Sequence, residues 1–277
     1  MFTEKMKGKD VMNVQINQSS VSNELQRIEG FYKIECFDSD GNLKWKDSIE
    51  NVVTYIGKNS MLDNFLAGSA FTQVGPYMGL ISSVGWTNLA TTISSGTYTT
   101  GTGAVSLTTA AAHGLLPGDT FEINTAAGTG SFAAINGTFL ATTGTTGSTL
   151  NFTIAANLTM TITGGNVVTT SGTRINDTMA SHGNWTEAGS TNAPTFAARG
   201  SIAWSAASNG TKATSSPTSF SISGAGTLEG AFIVLGTGAV TTILNTSGTL
   251  FSAGAFTGGS KTVANGDTLN VSYSTSL

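Results

Sequence analysis

The stretch FYKIECFDSDGNLKWKD, residues 31–47, decides the fold class of this chain. Aromatic and branched side chains alternate with polar ones through residues 31–37, and such residues suit the pleated surface of a β-strand. Asp40 and Gly41 follow, a pair that readily adopts the positive φ angles of a tight turn. Leu43 and Trp45 resume the alternation after the turn. The stretch therefore predicts a β-hairpin.

Strand patterns of similar length continue through the rest of the chain. After residue 200 we predict strands at 201–204, 219–222, 230–235, 240–244, 250–256 and 268–273. One helix is predicted at 58–66, with Asn59 or Ser60 as its cap and Gly68 at its end. Short strands separated by turn residues are typical of sandwiches and barrels. We therefore predict a mainly β fold with a β-sandwich or jelly-roll-like body and one short helix.

The distribution of charge divides the chain. Residues 1–63 contain 18 of the 28 charged residues, whereas residues 87–173 contain only Asp119 and Glu122. We therefore predict an extended amino-terminal arm (1–28), a discontinuous β body (29–86 plus 175–277) and an inserted small β-barrel or sandwich domain (87–174). Within the insert the predicted strands are 104–107, 120–123, 137–142, 149–155 and 158–162.

Composition narrows the function classes. The chain has 277 residues with 1 cysteine and 2 histidines, which excludes an intramolecular disulfide and disfavours a thiolate or histidine metal site. A net charge of −4 gives no support for a nucleic-acid partner, because phosphate binding needs clustered Lys and Arg. The sequence lacks a signal-peptide pattern and an uninterrupted apolar run of membrane-spanning length. We therefore expect neither nucleic acid nor membrane as a partner.

The two histidines are the first candidates for chemistry. His182 lies near Asp177 and Glu187 in the sequence, which would allow an acid–base site, but the residues around it are more typical of a surface turn. His113 precedes a Pro-Gly-Asp turn, and we expect it to hydrogen-bond backbone groups across that turn. Cys36 alternates with polar strand residues and is expected to be a buried small hydrophobic residue.

Carboxylates are the second candidates. Residues 38–42 place oxygen-bearing side chains at alternate positions, as calcium loops do, but the glycine position fits a hairpin turn better. Beyond residue 63 only six acidic residues remain, and they occur singly. Sugar hydrolysis by two carboxylates stays open, because the distance between them is set by the fold. We expect no enzyme activity, no cofactor and no metal site.

Four segments together resemble virion structural proteins of tailed bacteriophages: residues 51–66, 77–82, 176–187 and 254–269. Within the predicted insert, residues 112–123 and 135–140 are similar to small β modules of phage tail and baseplate proteins. The resemblance implies a capsid decoration or cement protein, or a head or tail fibre.

The favoured hypothesis is a non-enzymatic protein that binds and stabilises the capsid surface. Its partner would be the major capsid protein or another virion protein, on the outer surface of the head rather than on the tail. We expect a homo-oligomer, with a trimer favoured, in which the arm pairs with a neighbouring subunit by strand addition. The arm residues expected to contact the partner are Met12, Val14, Gln15, Ile16, Val21 and Leu25.

The alternative hypothesis is a head or tail fibre, or an adhesin module, that binds the host surface. Trp86 and Trp185 are the candidates for exposed aromatic side chains that stack on a host-surface glycan, although core positions are commoner for tryptophan. A glycan-degrading enzyme is the third hypothesis, and two carboxylates in one cleft would support it.

Overall fold

The computed structural model of this chain describes residues 29–66, 74–86, 90–169 and 172–276. The predicted arm, residues 1–28, lies outside these ranges, together with its six candidate contact residues. Within the described ranges the fold is mainly β and sandwich-like, with one α-helix, α1 (Tyr55–Leu66). The predicted mainly β fold with one short helix is therefore confirmed.

The strands are, in chain order, β1 (Glu29–Phe37), β2 (Leu43–Val53), β3 (Tyr77–Ser82), β4 (Ala90–Thr99), β5 (Ala104–Thr109), β6 (Thr120–Gly130), β7 (Gly137–Leu140), β8 (Thr149–Thr153), β9 (Met160–Thr169), β10 (Thr186–Glu187), β11 (Gly200–Ser201), β12 (Thr211–Ala213), β13 (Thr218–Ser221), β14 (Gly226–Leu235), β15 (Thr249–Ala255), β16 (Lys261–Val263) and β17 (Thr268–Ser276). A short 3₁₀ helix (Phe132–Ile135) precedes β7.

The body is an antiparallel sheet with the strand order β10-β3-β14-β15-β2-β1-β17-β12, to which β11, β13 and β16 add at β3, β17 and β14. Strand β2 joins two halves of this sheet, one that contains β1 and β17 and one that contains β3, β14 and β15. Its residues 43–51 pair with β1, whereas Val52 and Val53 pair with β15. Side chains from β1 and β17 therefore meet side chains from β3, β14 and β15 in one common core, as in a sandwich.

The half made of β3, β14 and β15 is buried on both faces. Its second face packs Ile81 and Phe232 against Trp185, which comes from the loop before β10. Helix α1 lies against β15, and a Cβ at Gly57 would lie 2.4 Å from the Phe251 carbonyl oxygen, so only glycine permits this approach. Burial on both faces explains why residues 230–234 form a continuous apolar run.

The hairpin predicted at residues 31–47 is present. β1 and β2 pair in antiparallel register, and Gly41 between them has a φ of +83°. The Asp38 carboxylate accepts hydrogen bonds from the backbone N–H groups of Asp40 (3.0 Å) and Asn42 (2.8 Å). These bonds lower the pKa of Asp38, and the Asn42 backbone makes the largest contribution. The Asp38 carboxylate of the calcium-like sequence thus stabilises a turn.

Helix α1 begins at Tyr55, three residues before the predicted start at 58. The predicted caps Asn59 and Ser60 are wrong, because Thr54 caps the helix. The Thr54 hydroxyl accepts the Gly57 N–H (3.1 Å) and donates to the Leu250 carbonyl. This cap depends on β15, which is remote in the sequence. Gly68, the predicted end, lies outside the described residues.

Strands β4 to β9 form a separate antiparallel sheet in the order β7-β6-β9-β4-β5-β8. Its two edges approach each other, because the Thr142 N–H after β7 donates to the Asn151 carbonyl in β8 at 2.8 Å. The sheet is therefore nearly closed and barrel-like around its own core, which includes Phe121, Phe152 and Leu107. All six strands fall within the range predicted for the insert, and the division into domains stays a prediction.

Two strand predictions need correction, and one strand was missed. Residues 240–244 form bends and a turn, because the Val240 carbonyl binds Arg199 and the Leu244 N–H binds Glu187 instead of a neighbouring strand. Of the predicted strand at 201–204, only Ser201 is in a strand, β11 (Gly200–Ser201). β4 was not predicted, because its Ser- and Thr-rich sequence lacks a long apolar alternation, yet it pairs with both β5 and β9.

Candidate functional site

A cleft of about 750 Å³ lies between the body and the sheet of the insert. Its walls include the beginning of β1, the ends of β2 and β17, Lys58 of α1 and residues 173–175. The insert contributes Gly118, Thr120 and Leu140. The cleft is therefore placed where both sheets and the chain segment that connects them come together.

Apolar side chains of both parts are exposed around this cleft. Leu140 lines it and is 57% exposed. Tyr55, 44% exposed, contacts the insert through its hydroxyl, since a Cβ at Gly118 would lie 2.6 Å from it. Phe31, Val52 and Ile175 line the cleft as well and are half-buried. We call Phe31, Val52, Leu140 and Ile175 the apolar rim. Partly exposed apolar side chains that line one cleft are typical of surfaces that bind a partner.

The floor of the cleft contains a buried acceptor. The Asn51 amide nitrogen donates to the Tyr273 hydroxyl at 3.4 Å, whereas its buried side-chain oxygen has no hydrogen-bond partner among the described residues. Gly30 allows this arrangement, because a Cβ there would lie 2.2 Å from the Asn51 oxygen. Buried polar atoms are normally hydrogen-bonded, so this oxygen is an exception, an acceptor buried beside Gly30.

Body and insert are joined by polar contacts beside the cleft. The Arg174 guanidinium donates to the Gly114 carbonyl. The Asn176 amide donates to the Pro117 carbonyl and to the Asp119 carboxylate, both at 3.1 Å. Burial raises the pKa of Asp119, although hydrogen bonds from Leu116 and Asn176 oppose the rise. These bonds hold the loop 114–119 against the segment 174–176.

Trp185 is not an exposed aromatic residue, and that prediction is wrong. The side chain is 1% exposed and packs against Phe232. Its indole N–H donates to the Asp177 carboxylate at 2.8 Å, and the ring stacks on His182 with a centroid separation of 3.8 Å. Burial raises the pKa of Asp177. Trp185 therefore anchors the loop before β10 to the body and cannot stack on a glycan.

Trp86 is half-buried at the end of the segment that follows β3. It packs on the core around Trp185 and against Gly172, where a Cβ would lie 2.7 Å from the ring. Its role as a glycan-stacking residue stays a prediction.

The histidines have local partners. His113 is buried, accepts the Leu115 N–H at Nδ1 (3.0 Å) and lies 3.0 Å from the Thr149 carbonyl through Nε2. This is the predicted contact with backbone across a turn, and burial lowers the pKa of His113. His182 Nδ1 lies 3.0 Å from the Trp185 carbonyl, within the predicted turn.

A buried ion pair was missed by the sequence analysis. Arg199 donates from Nε and Nη2 to the two carboxylate oxygens of Glu187, each at 2.7 Å. Both side chains are almost fully buried. Arg199 also donates to the carbonyls of Val240 and Asn245, and Glu187 accepts the Leu244 N–H. The pair fixes the loop between β14 and β15. No sequence spacing joins positions 187, 199 and 244, so only the fold shows it.

The remaining candidate residues for chemistry are Cys36 and the carboxylates. Cys36 is buried as predicted, and burial raises its pKa to about 12. In the ranges that the structure describes, no group of three or more His, Cys, Asp or Glu residues is placed to hold a metal ion. Glu50 is the one carboxylate among the described residues that line the cleft.

The comparisons with known proteins give no relative. No family model, curated protein or solved structure matches this chain. Among the helices in the described ranges, none has the length and apolarity needed to cross a membrane.

Proposed function

We propose that this chain is a non-enzymatic structural protein of a tailed-phage particle, which binds and stabilises the capsid surface as a decoration or cement protein. The observation that supports this best is the cleft with its apolar rim at the position where the arm joins β1. A partner-binding arm and a partner-binding surface on the body would then be adjacent. The proposed partner is the major capsid protein, on the outer surface of the head.

The segments that resemble phage virion proteins also converge in the fold. Residues 51–66, 77–82 and 176–187 contribute Ile56, Ile81 and Trp185 to one apolar core. The resemblance therefore concerns residues that pack the body rather than an exposed patch. This supports a shared body architecture and leaves the partner to be identified by experiment.

Low charge fits a protein whose surface is largely covered in its assembly. Only 10% of the residues are charged. Most described carboxylates that are buried or half-buried bind loop or strand partners, as Glu187 does with Arg199 and Asp267 with Lys44. Charge repulsion between copies is correspondingly small, which favours a homo-oligomer, a trimer in our proposal.

Imaging of particles tests the proposal. Phage particles produced with and without this protein would be compared by cryo-electron microscopy, and its copies would be counted and located. Hundreds of copies over the shell are expected. A few copies at a vertex or on the tail would instead support the fibre or adhesin alternative, and absence from the particle would overturn the proposal.

Deletion of residues 1–28 tests the part assigned to the arm. We expect the truncated chain to keep its circular dichroism spectrum, because each described strand pairs with another strand within residues 29–276, but to be lost from particles. Incorporation at the level of the full chain would contradict the assignment.

A further inference from the structure

The chain contains three Asn-Gly pairs, at residues 136–137, 209–210 and 265–266, and all three asparagines are exposed. Such a pair is chemically reactive, because glycine has no side chain to keep its backbone nitrogen away from the preceding side-chain amide. The reaction is fastest where neither the nitrogen nor the amide is held in a hydrogen bond elsewhere. The fold therefore decides which of the three pairs reacts first.

Two of the pairs are held by hydrogen bonds. The Gly266 N–H donates to the Ile222 carbonyl at 2.8 Å, which engages the nitrogen that would attack. The Asn136 side-chain oxygen accepts the Ala126 N–H at 2.9 Å, which holds this amide against β6. Each of these pairs must therefore give up a hydrogen bond before it can react.

The third pair occupies an exposed turn. Ser208 and Thr211 exchange two backbone hydrogen bonds of 2.9 Å, so Asn209 and Gly210 are the central residues of a two-residue turn. Their φ angles are +50° and +72°, as in a type I′ hairpin turn. Within the described ranges, the Asn209 side-chain amide and the Gly210 N–H have no hydrogen-bond partner. Both reacting groups are therefore free at this pair.

We propose that Asn209 is a site of spontaneous modification, at which the side-chain amide becomes a carboxylate through a cyclic imide. The Gly210 nitrogen loses its proton to solvent and forms a bond to the Asn209 Cγ, while the bond from Cγ to the amide nitrogen breaks and ammonia leaves. Water then adds to one of the two imide carbonyls and opens the ring, which gives aspartate or isoaspartate. The proposal goes beyond the capsid-binding function and does not depend on it.

Isoaspartate at position 209 would loosen the strand that follows. In isoaspartate the chain continues through the former side chain, which adds one methylene group to the backbone of the turn. β12 begins at Thr211, and Thr211 pairs with Ser276 of β17. Thr211 and Ser276 both line the cleft. The modification would therefore change one edge of the cleft with time.

Incubation of the full chain tests the proposal, with the two other pairs as internal controls. The purified protein would be kept at mildly alkaline pH and physiological temperature, and samples would be analysed by peptide mass spectrometry with electron-transfer fragmentation. We expect Asn209 to react about tenfold faster than Asn136 or Asn265, the factor that corresponds to one hydrogen bond of about 1.4 kcal/mol. Equal rates at the three positions, or a faster rate at Asn136 or Asn265, would overturn the proposal.

Two variants test the effect on β12. Asn209→Gly tolerates the positive φ of the turn but cannot form the imide, whereas Asn209→Asp adds the charge without lengthening the backbone. After incubation, we expect deuterium uptake in peptides that cover residues 211–214 to rise several-fold in the unmodified chain and to stay unchanged in Asn209→Gly. Freshly prepared Asn209→Asp should match the fresh unmodified chain.

Two results would contradict this effect. Equal uptake in the incubated unmodified chain and in incubated Asn209→Gly would show that the modification leaves β12 in place. Uptake in fresh Asn209→Asp as high as in the incubated unmodified chain would show that the added charge, and not the longer backbone, loosens the strand.

Discussion

The body and the insert hold their loops by different means. In the body, buried charges fix the loops: Glu187 and Arg199 bind each other and three backbone groups around the β14–β15 connection. In the insert, one carboxylate, Asp119, and His113 bind loop backbone. Hydroxyls hold other loops there, as where Thr145 donates to the Asn151 carbonyl (3.2 Å) and accepts its N–H (3.0 Å). Stability of the body should therefore depend on a few charged residues, whereas that of the insert is spread over many weak contacts and its apolar core.

The largest effect is expected at the buried ion pair of the body. Arg199→Met leaves the Glu187 carboxylate buried without its cation, which costs about 4 kcal/mol in the free energy of unfolding. Denaturant unfolding followed by tryptophan fluorescence measures this. Lys261→Met, which breaks the more exposed pair with Asp47, is the matched control and should cost at most about 1 kcal/mol. Similar costs for the two variants would refute the contrast.

An apolar truncation in the insert should act on the insert alone. Phe152→Ala removes a buried ring that contacts Phe121 and Phe139, at a cost of roughly 3 kcal/mol. All four tryptophans, Trp45, Trp86, Trp185 and Trp204, lie outside residues 90–169. We expect faster hydrogen exchange in β4 to β9 with an unchanged tryptophan transition. An equal shift of that transition would show that both parts unfold as one unit.

Local sequence was sufficient for features whose cause is local. The Asp40-Gly41 turn needs only a positive φ and nearby acceptors, and the structure has both. Mainly β structure also followed from the alternation of residues such as Tyr32 and Ile34, which are buried, with exposed neighbours.

Features fixed by remote partners could not be predicted in this way. The start of α1 depends on the Thr54 contact with Leu250, and the loss of strand at 240–244 depends on Arg199 and Glu187. Trp185 lies in a polar loop sequence just before a strand. Nothing in that local sequence indicates that its side chain is buried against Phe232. The cleft itself combines residues from both sheets, so no single stretch of sequence indicates it.

The cap of helix α1 gives a smaller effect within the body. Thr54→Ala removes the acceptor for the Gly57 N–H and the donor to Leu250, and should lower the free energy of unfolding by about 1.5 kcal/mol. Thr54→Ser keeps the hydroxyl and should remain within about 0.5 kcal/mol of the unmodified chain. Denaturant midpoints measured by circular dichroism decide this, and equal losses for both variants would mean that the methyl group matters more than the cap.

The smallest expected effects concern two carboxylates of the body with opposite pKa shifts. Burial acts to raise the pKa of Asp267, but the hydrogen bonds from Lys44 (2.6 Å) and the Ala264 N–H (2.7 Å) lower it overall. Burial raises the pKa of Asp177, despite its bond from Trp185. The Asp267 contribution to stability is therefore present above the unfolded-state pKa of about 3.9 and is lost as pH falls through the lowered folded-state pKa. The Asp177 contribution is present below about 3.9 and is lost as pH rises through the raised folded-state pKa.

The corresponding asparagine variants should respond to pH in opposite ways. At pH 7, Asp267→Asn should cost about 1 kcal/mol, and the cost should shrink toward pH 3 as the unmodified carboxylate becomes protonated. Asp177→Asn keeps an acceptor for Trp185 and removes a buried charge, so it should equal or exceed the unmodified chain by up to about 1 kcal/mol at pH 7, with no difference near pH 3. Urea unfolding by tryptophan fluorescence between pH 3 and 7 measures both. If both variants lost stability relative to the unmodified chain as pH rose, the body would require Asp177 in its charged form. The body would then depend on a third buried charge besides those of Glu187 and Arg199.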